Sequence, residues 1–240
     1  MDGMILFAKY AFAPNQKNYC GPTASRAIFD YLKYGKSDPG LEGLLKEFKG
    51  ALPYLQFIAE SNNIEDPFDW KVVEAYWIGN ELLEKTSISD FYNHLKERFG
   101  KKVNPEDFEH IVGKLPLGAK PHHSLHVFEI CTRIKDLKSS GFAFISTLDN
   151  CRISWGRVEK TTKGKIDVSY QPLEVKDKFF LGEPTKRKIT LPLDSVSSIK
   201  KGDWVSFHWG TFCDILTTEQ KNNLEKYTKF HISLENLIIL

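Results

Sequence analysis

The feature that most constrains this fold is a change in the spacing of apolar residues near residue 140. Up to about residue 135, apolar side chains recur at helical spacing, and capping residues such as Asp66-Pro67 and Asn104-Pro105 mark helix starts. From about residue 142, apolar and polar residues alternate instead, as in residues 166–170. Thr217 and Gln220 then resemble a capping box that opens a final helix. The sequence therefore predicts an α+β multidomain chain. An all-α helical domain spans residues 1–141, and a small OB-like β-barrel with a C-terminal helix spans residues 142–240.

Charge and composition argue against several classes of protein. The chain has 33 Lys and Arg against 31 Asp and Glu, and no segment has the dense basic run of a nucleic-acid-binding tail. No apolar stretch approaches the roughly 20 residues that cross a bilayer, and the start Met1-Asp2 is acidic where a signal peptide is basic. We therefore expect a cytoplasmic protein without nucleic-acid or membrane partners. The four cysteines form no CxxC pair, which favours isolated thiols over a disulfide framework.

Two stretches of the C-terminal part carry a family resemblance. They are Cys151-Arg-Ile-Ser-Trp-Gly-Arg-Val158 and Lys201-Gly-Asp-Trp-Val-Ser-Phe-His208-Trp-Gly210. Their order and spacing resemble the HypC family, the small OB-fold chaperones of [NiFe]-hydrogenase maturation. The resemblance covers roughly residues 151–230, with Trp155 where the family has proline.

The resemblance implies an accessory protein or chaperone in metallocentre assembly. Cys151 and His208 would hold or transfer iron together with its cyanide and carbon monoxide ligands. The implied partners are hydrogenase maturation proteins or the hydrogenase large subunit. A thiolate and an imidazole suit iron and leave open positions for diatomic ligands. Cys213 follows His208 closely and is a further candidate ligand.

The whole chain also resembles an uncharacterised prokaryotic family. The shared stretches lie around Tyr19-Cys20-Gly21-Pro22, around residues 121–126 and around His208-Trp209.

The densest group of metal-capable side chains is Pro121-His122-His123-Ser-Leu-His126. If this segment is helical, His122 and His126 lie on one face at a spacing that can chelate a metal. His123 and His126 are therefore additional candidate ligands. The alternative is a helix start whose histidines form hydrogen bonds across the domain interface.

Cys20 raises the possibility of an enzyme. It precedes a predicted helix, and a helix N-terminus lowers the pKa of a thiol. A thiol hydrolase or transferase would pair Cys20 with a histidine from residues 122–126. A metal-dependent enzyme that makes or delivers a diatomic ligand would instead draw on His123, His126 and His208. A pure protein-binding module is the third alternative, and whether the protein is an enzyme stays open at this point.

Overall fold

The computed structural model describes residues 1–133, 142–193 and 198–237. Within these ranges the protein is a mixed α/β chain with ten α-helices, and its strands lie in the C-terminal part. The predicted domain boundary between residues 141 and 142 lies at the end of a segment, residues 134–141, that is outside the described residues. The helices are α1 Gly3–Gln16, α2 Ser25–Tyr34, α3 Pro39–Lys46, α4 Leu52–Ser61, α5 Trp70–Trp77, α6 Ile88–Phe99, α7 Pro105–Val112, α8 His123–Leu125, α9 Phe142–Cys151 and α10 Thr218–Glu235. A 3-10 helix spans Glu81–Lys85, and α8 continues into a π-helical turn, His126–Ile130.

The predicted helix starts are confirmed in part. Asn104 caps α7 by accepting a hydrogen bond from the Asp107 N–H, and Thr217 with Gln220 forms the capping box of α10. The start predicted at Asp66-Pro67 is wrong, because α5 begins at Trp70. The Asp66 carboxylate instead accepts the Phe68 N–H at 2.8 Å and stabilises a turn ahead of the helix.

The segment that was predicted to begin the barrel is not a strand, because Phe142–Cys151 forms helix α9. Short apolar runs of this kind do not distinguish a strand from a buried helix by periodicity alone. Helix α1 is buried on all sides, and its Phe7 contacts the rings of Phe48, Phe68 and Trp77. A helix that is apolar all round belongs in the interior, and α1 forms the centre of the helical part.

Seven strands follow α9: β1 Ser154–Thr162, β2 Lys165–Tyr170, β3 Leu173–Val175, β4 Phe179–Leu181, β5 Thr185–Thr190, β6 Trp204–His208 and β7 Thr211–Leu216. Strands β3 and β4 form a separate hairpin that contacts α9 and α10. The other five are linked in the order β1-β2-β5-β7-β6, and β6 pairs back with β1. All of these pairings are antiparallel except that of β5 with β7, which meet in parallel at Thr190 and Thr211.

The helical part and the strand part share a large hydrophobic cluster, and the ring of strands also encloses a cluster of its own. Ile153 and Trp155 of the strand part pack in the same buried cluster as α1. Polar contacts cross the same seam, because Tyr10 Oη lies 3.0 Å from Ser206 Oγ and the Lys9 ammonium contacts Asp214 at 2.9 Å. The end of β6 is therefore held against α1. Among the described helices, none is both long and apolar enough to cross a bilayer.

Candidate functional site

Three potential metal ligands from distant parts of the chain converge at this seam. His123 begins α8, Cys151 ends α9 and His208 ends β6. Their ligating atoms all lie within 4.8 Å of one another. We refer to these three residues as the cavity triad.

A hydrogen bond to a backbone carbonyl fixes the orientation of the His208 ring. Its Nδ1 lies 2.7 Å from the Tyr10 carbonyl oxygen. A carbonyl only accepts, so Nδ1 carries the proton and Nε2 keeps its lone pair. His208 Nε2 is buried and has no hydrogen-bond partner. An imidazole anchored through one nitrogen with the other unpaired is the usual arrangement of a metal-binding histidine.

His123 is held in its neutral form by its surroundings. Its ring lies 4.6 Å from the Trp77 ring and 5.4 Å from the His208 ring, and its Nδ1 is buried without a partner. Burial and the neighbouring His208 hold the pKa of His123 well below its usual range. At neutral pH its ring nitrogen is therefore free to donate an electron pair.

Cys151 is a protonated thiol in this environment. The side-chain interaction with Cys131 and burial raise the pKa of Cys151 well above its usual range, and His208 acts in the opposite direction. A metal ion binds the thiolate, so binding here would release a proton.

The cavity triad lines a largely apolar cavity of about 170 Å³. Four more side chains with reactive or hydrogen-bonding groups line the same cavity, namely Cys20, Cys131, His126 and Trp77. The remaining lining residues are Pro14, Tyr19, Phe48, Gly50, Ala51, Tyr76, Phe144, Thr147, Leu148 and Trp209. The indole N–H groups of Trp77 and Trp209 are buried and have no partner.

A strained turn beside the cavity follows His208 directly. Trp209 has φ of 50° and Gly210 has φ of 71°, so the tight β6–β7 connection places two successive residues in the left-handed region. Tryptophan rarely adopts this conformation, and such strain tends to occur at functional sites. The Trp209 ring stacks on Tyr19 with 4.0 Å between the centroids, next to Cys20.

The structure brings together some of the predicted site residues. Cys151 and His208 are adjacent, as the family resemblance implies, and His123 joins them. His126 lines the cavity but lies outside the triad, with Nδ1 3.5 Å from Tyr54 Oη.

His122 and Cys213 do not face the cavity. His122 caps α8 by accepting the Ser124 N–H, and its ring stacks on Tyr227 of α10. The predicted His122–His126 pair on one face is therefore wrong, because His122 is the extended N-cap residue that precedes α8 and is not part of the helix. Cys213 is buried in β7, where its thiol donates to the Thr211 carbonyl at 3.7 Å.

Cys20 is not activated in the way that its sequence position suggests. Helix α2 begins at Ser25, so Cys20 does not lie at the helix N-terminus. Cys20 is an exposed residue, yet desolvation by the surrounding protein and the neighbouring Cys151 raise its pKa to about 12. The thiol is therefore protonated at neutral pH.

Sequence reasoning missed Cys131, the Tyr10 carbonyl and Trp77. Cys131 lies five residues after His126, and this short spacing was the available signal. The sequence could not indicate the hydrogen bond from His208 to the Tyr10 carbonyl, because every residue has the same backbone oxygen.

A second group of ligating side chains lies at the π-helical turn. Atoms of His110, Glu129 and Glu235 lie within 4.8 Å of one another. Lys114 Nζ contacts Glu129 at 2.5 Å and Glu235 at 2.9 Å, and Arg133 contacts Glu235 at 3.0 Å. We call these five residues the charged cluster. Its carboxylates already have cationic partners.

Comparison with known proteins identifies a family but no characterised relative. No curated protein and no solved structure matches the chain significantly. Residues 1–239 match the family DUF6390, described as a family of unknown function. This match spans nearly the whole sequence and agrees with the expected resemblance to an uncharacterised family. The chain that carries the cavity triad belongs to DUF6390.

Proposed function

We propose that this protein is a metal-carrying accessory protein. In this proposal His123, Cys151 and His208 hold an iron ion as cargo and release it to a partner during metallocentre assembly. The observation that carries the proposal is the convergence of the three ligating atoms within 4.8 Å beside a cavity.

The donor set fits a transition metal. Two imidazoles and one thiolate are ligands of intermediate to soft character, which suit iron, cobalt, copper or zinc better than magnesium or calcium. The two histidines have unpaired buried nitrogens, and an unpaired buried polar atom is costly until it finds a partner. Three protein ligands also leave room for ligands from outside the protein.

The chain's own residues would control capture and release. The Tyr10 carbonyl keeps the His208 proton on Nδ1, so Nε2 is presented to the metal. Cys151 gives up its proton when the metal binds and regains it when the metal leaves. The Trp77 ring packs against His123 and excludes water from that side of the triad.

Hydrogenase maturation is the setting that we propose for this activity. The support is the HypC-like order of Cys151 and His208, together with their proximity in space. The ring of strands adds support, because its order, numbered within the ring as 1-2-3-5-4, fits a small OB-like barrel. In this setting the iron would carry cyanide and carbon monoxide. The partners would be hydrogenase maturation proteins or the hydrogenase large subunit, in the cytoplasm.

Infrared spectroscopy tests this proposal. The protein is purified without oxygen from a hydrogenase-competent host, and the cyanide and carbonyl stretching region is recorded. We expect bands in the wild type that disappear in Cys151→Ala and persist in Cys213→Ala, which removes a buried thiol outside the cavity. Anaerobic titration with Fe²⁺ and with Co²⁺ tests the site itself. Equal binding by the wild type and Cys151→Ala, or no binding by either, would overturn the proposed metal site.

A thiol-dependent enzyme is the second candidate, because Cys20, His123 and His126 line one cavity. The raised pKa of Cys20 opposes it. Fast alkylation of Cys20 at neutral pH, with a pH profile that shows a depressed pKa, would favour this candidate. Slow alkylation would exclude it.

A further inference from the structure

A second thiol lies beside the proposed cysteine ligand. Cys131 directly follows the π-helical turn, where its N–H donates to the His126 carbonyl at 2.9 Å. Cys151 ends α9, and α9 packs against the same turn. Both side chains line the same cavity and both are free thiols. Cys131 is also the largest cause of the raised pKa of Cys151.

We propose that Cys131 and Cys151 are a modification site at which a peroxide oxidises the two thiols to a disulfide. The first thiol loses its proton and attacks hydrogen peroxide as a thiolate. It becomes a sulfenic acid, and the hydroxide that leaves takes up the proton as water. Because the pKa of Cys151 is raised, its thiolate is a minor species at neutral pH and this step is slow. The second thiol attacks that sulfur, the S–S bond forms, and a second water leaves. The two cysteines lose two electrons and two hydrogens, and one peroxide is reduced to two waters.

The cavity explains why a small oxidant is the matching reagent. Its volume of about 170 Å³ admits a molecule of two oxygen atoms, and Cys151 is partly accessible. Cys131 is 7% exposed, so it is suited to be the second thiol, which reacts from within the protein.

Oxidation would act on the proposed metal site, and this consequence rests on the proposed function. A cysteine in a disulfide has no thiolate, so it no longer supplies the anionic sulfur ligand that the proposed iron site needs. The reduced protein would therefore hold the metal, and the oxidised protein would release it. Reduction of the disulfide by a thiol reductant would restore the site.

The other two cysteines provide controls. Cys20 lines the same cavity, and Cys151 raises the pKa of Cys20 through charge alone, without a side-chain hydrogen bond. Cys213 borders a different cavity, near Lys9 and Phe212. Neither should take part in the disulfide.

Peptide mapping can separate all four thiols. Cleavage after Lys and Arg, except before Pro, places Cys20 in residues 18–26 and Cys131 in residues 115–133. It places Cys151 in residues 139–152 and Cys213 in residues 202–221. Metal-free wild-type protein is treated with hydrogen peroxide, free thiols are blocked, and the digest is analysed by mass spectrometry before and after reduction.

We expect one linked pair, residues 115–133 with residues 139–152, that separates on reduction. The link should form in Cys20→Ser and Cys213→Ser and should not form in Cys131→Ser. A link between Cys20 and Cys151, or sulfinic acid at Cys151 without any link, would overturn the inference.

The design separates this inference from the proposed function, because mapping needs no metal. If reduced protein binds Co²⁺ but no disulfide forms, the modification site is wrong and the metal site stands. If the disulfide forms but the reduced protein binds no metal, the modification site stands and the proposed metal site is wrong. If both are present, oxidation should abolish Co²⁺ binding in the wild type, and a thiol reductant should restore it. In Cys131→Ser the oxidised Cys151 has no second thiol to condense with, so it should go on to sulfinic acid and reductant should not restore Co²⁺ binding.

Discussion

The cavity triad and the charged cluster lie close to the same π-helical turn, and each places three metal-capable residues within 4.8 Å. They differ in what their atoms already bind. In the charged cluster, Lys114 and Arg133 already contact the carboxylates, although His110 Nε2 and Glu129 Oε1 lack a hydrogen-bond partner. In the cavity triad, His123 and His208 each keep a buried nitrogen without a partner. Proximity of ligating side chains is therefore not enough to define a metal site, because cations that already contact the ligands compete with a metal ion.

The largest effect is expected from breaking the charged cluster. Lys114 is fully buried and contacts both Glu129 and Glu235. Lys114→Met removes the buried cation that Glu129 and Glu235 share and leaves their oxygens without this partner, and we expect the free energy of unfolding to fall by about 3–5 kcal/mol. Urea denaturation measures this loss. The control is Lys188→Met, which removes an exposed pair with Asp167 and should cost less than about 1 kcal/mol. Equal costs for the two variants would contradict the structural role of Lys114.

The next effect compares one histidine from each cluster. His123→Gln removes a member of the cavity triad, and we expect Co²⁺ affinity to fall by about a hundredfold or more, given that outer-shell changes alone cost about 10–100-fold. His110→Gln should leave the affinity unchanged, because the charged cluster does not hold the metal. Anaerobic titration followed by the visible spectrum of Co²⁺ gives both values. A loss of affinity in His110→Gln alone would place the metal in the other cluster.

The pH dependence of the free energy of unfolding tests the charged cluster through the ionisation of Glu129. Burial and Glu235 raise the pKa of Glu129 to about 8, against the effect of Lys114. A pKa that is raised on folding contributes stability at low pH that is lost as the pH rises through the folded pKa. We expect wild-type stability to decline between about pH 5 and about pH 8 relative to Glu129→Gln, whose side chain cannot ionise. Parallel urea midpoints for the two proteins over this range would show that Glu129 does not titrate in this way.

The acid side of the profile tests the cavity, with the smallest expected effect. Burial and the charge of Arg98 lower the pKa of His126 to about 3. A lowered pKa contributes stability above the unfolded value of about 6.5 that is lost as the pH falls toward the folded value. His126→Gln should therefore lose less stability than the wild type between about pH 6.5 and about pH 4. Circular dichroism melts at matched pH values provide the comparison, and an equal acid loss in both proteins would count against a neutral His126.

The predictable part of this molecule is the part that depends on near neighbours in sequence. Asn104 and Thr217 cap their helices as expected, since an N-cap needs only a side chain and an N–H three residues later. The pairing of Cys151 with His208 came from motif order. The position of His123 depends on the contacts of its ring with Trp77 and His208, and His122 is turned away because it is the extended N-cap residue ahead of α8. Lys114 was equally hidden, because a lysine between Gly113 and Leu115 gives no sign of burial until its distant carboxylates are in place.

The hydrogen bond between the Tyr10 carbonyl and His208 joins residues that are 198 positions apart. A ribosome that adds about 5–20 residues each second would make the second partner about 10–40 s after the first. Until then the His208 side chain that completes the triad does not exist, whatever helices have already formed. Under the proposed function, metal loading would therefore be a late event in the life of each chain, since a nascent or truncated polypeptide that ends before β6 lacks one of the three proposed ligands.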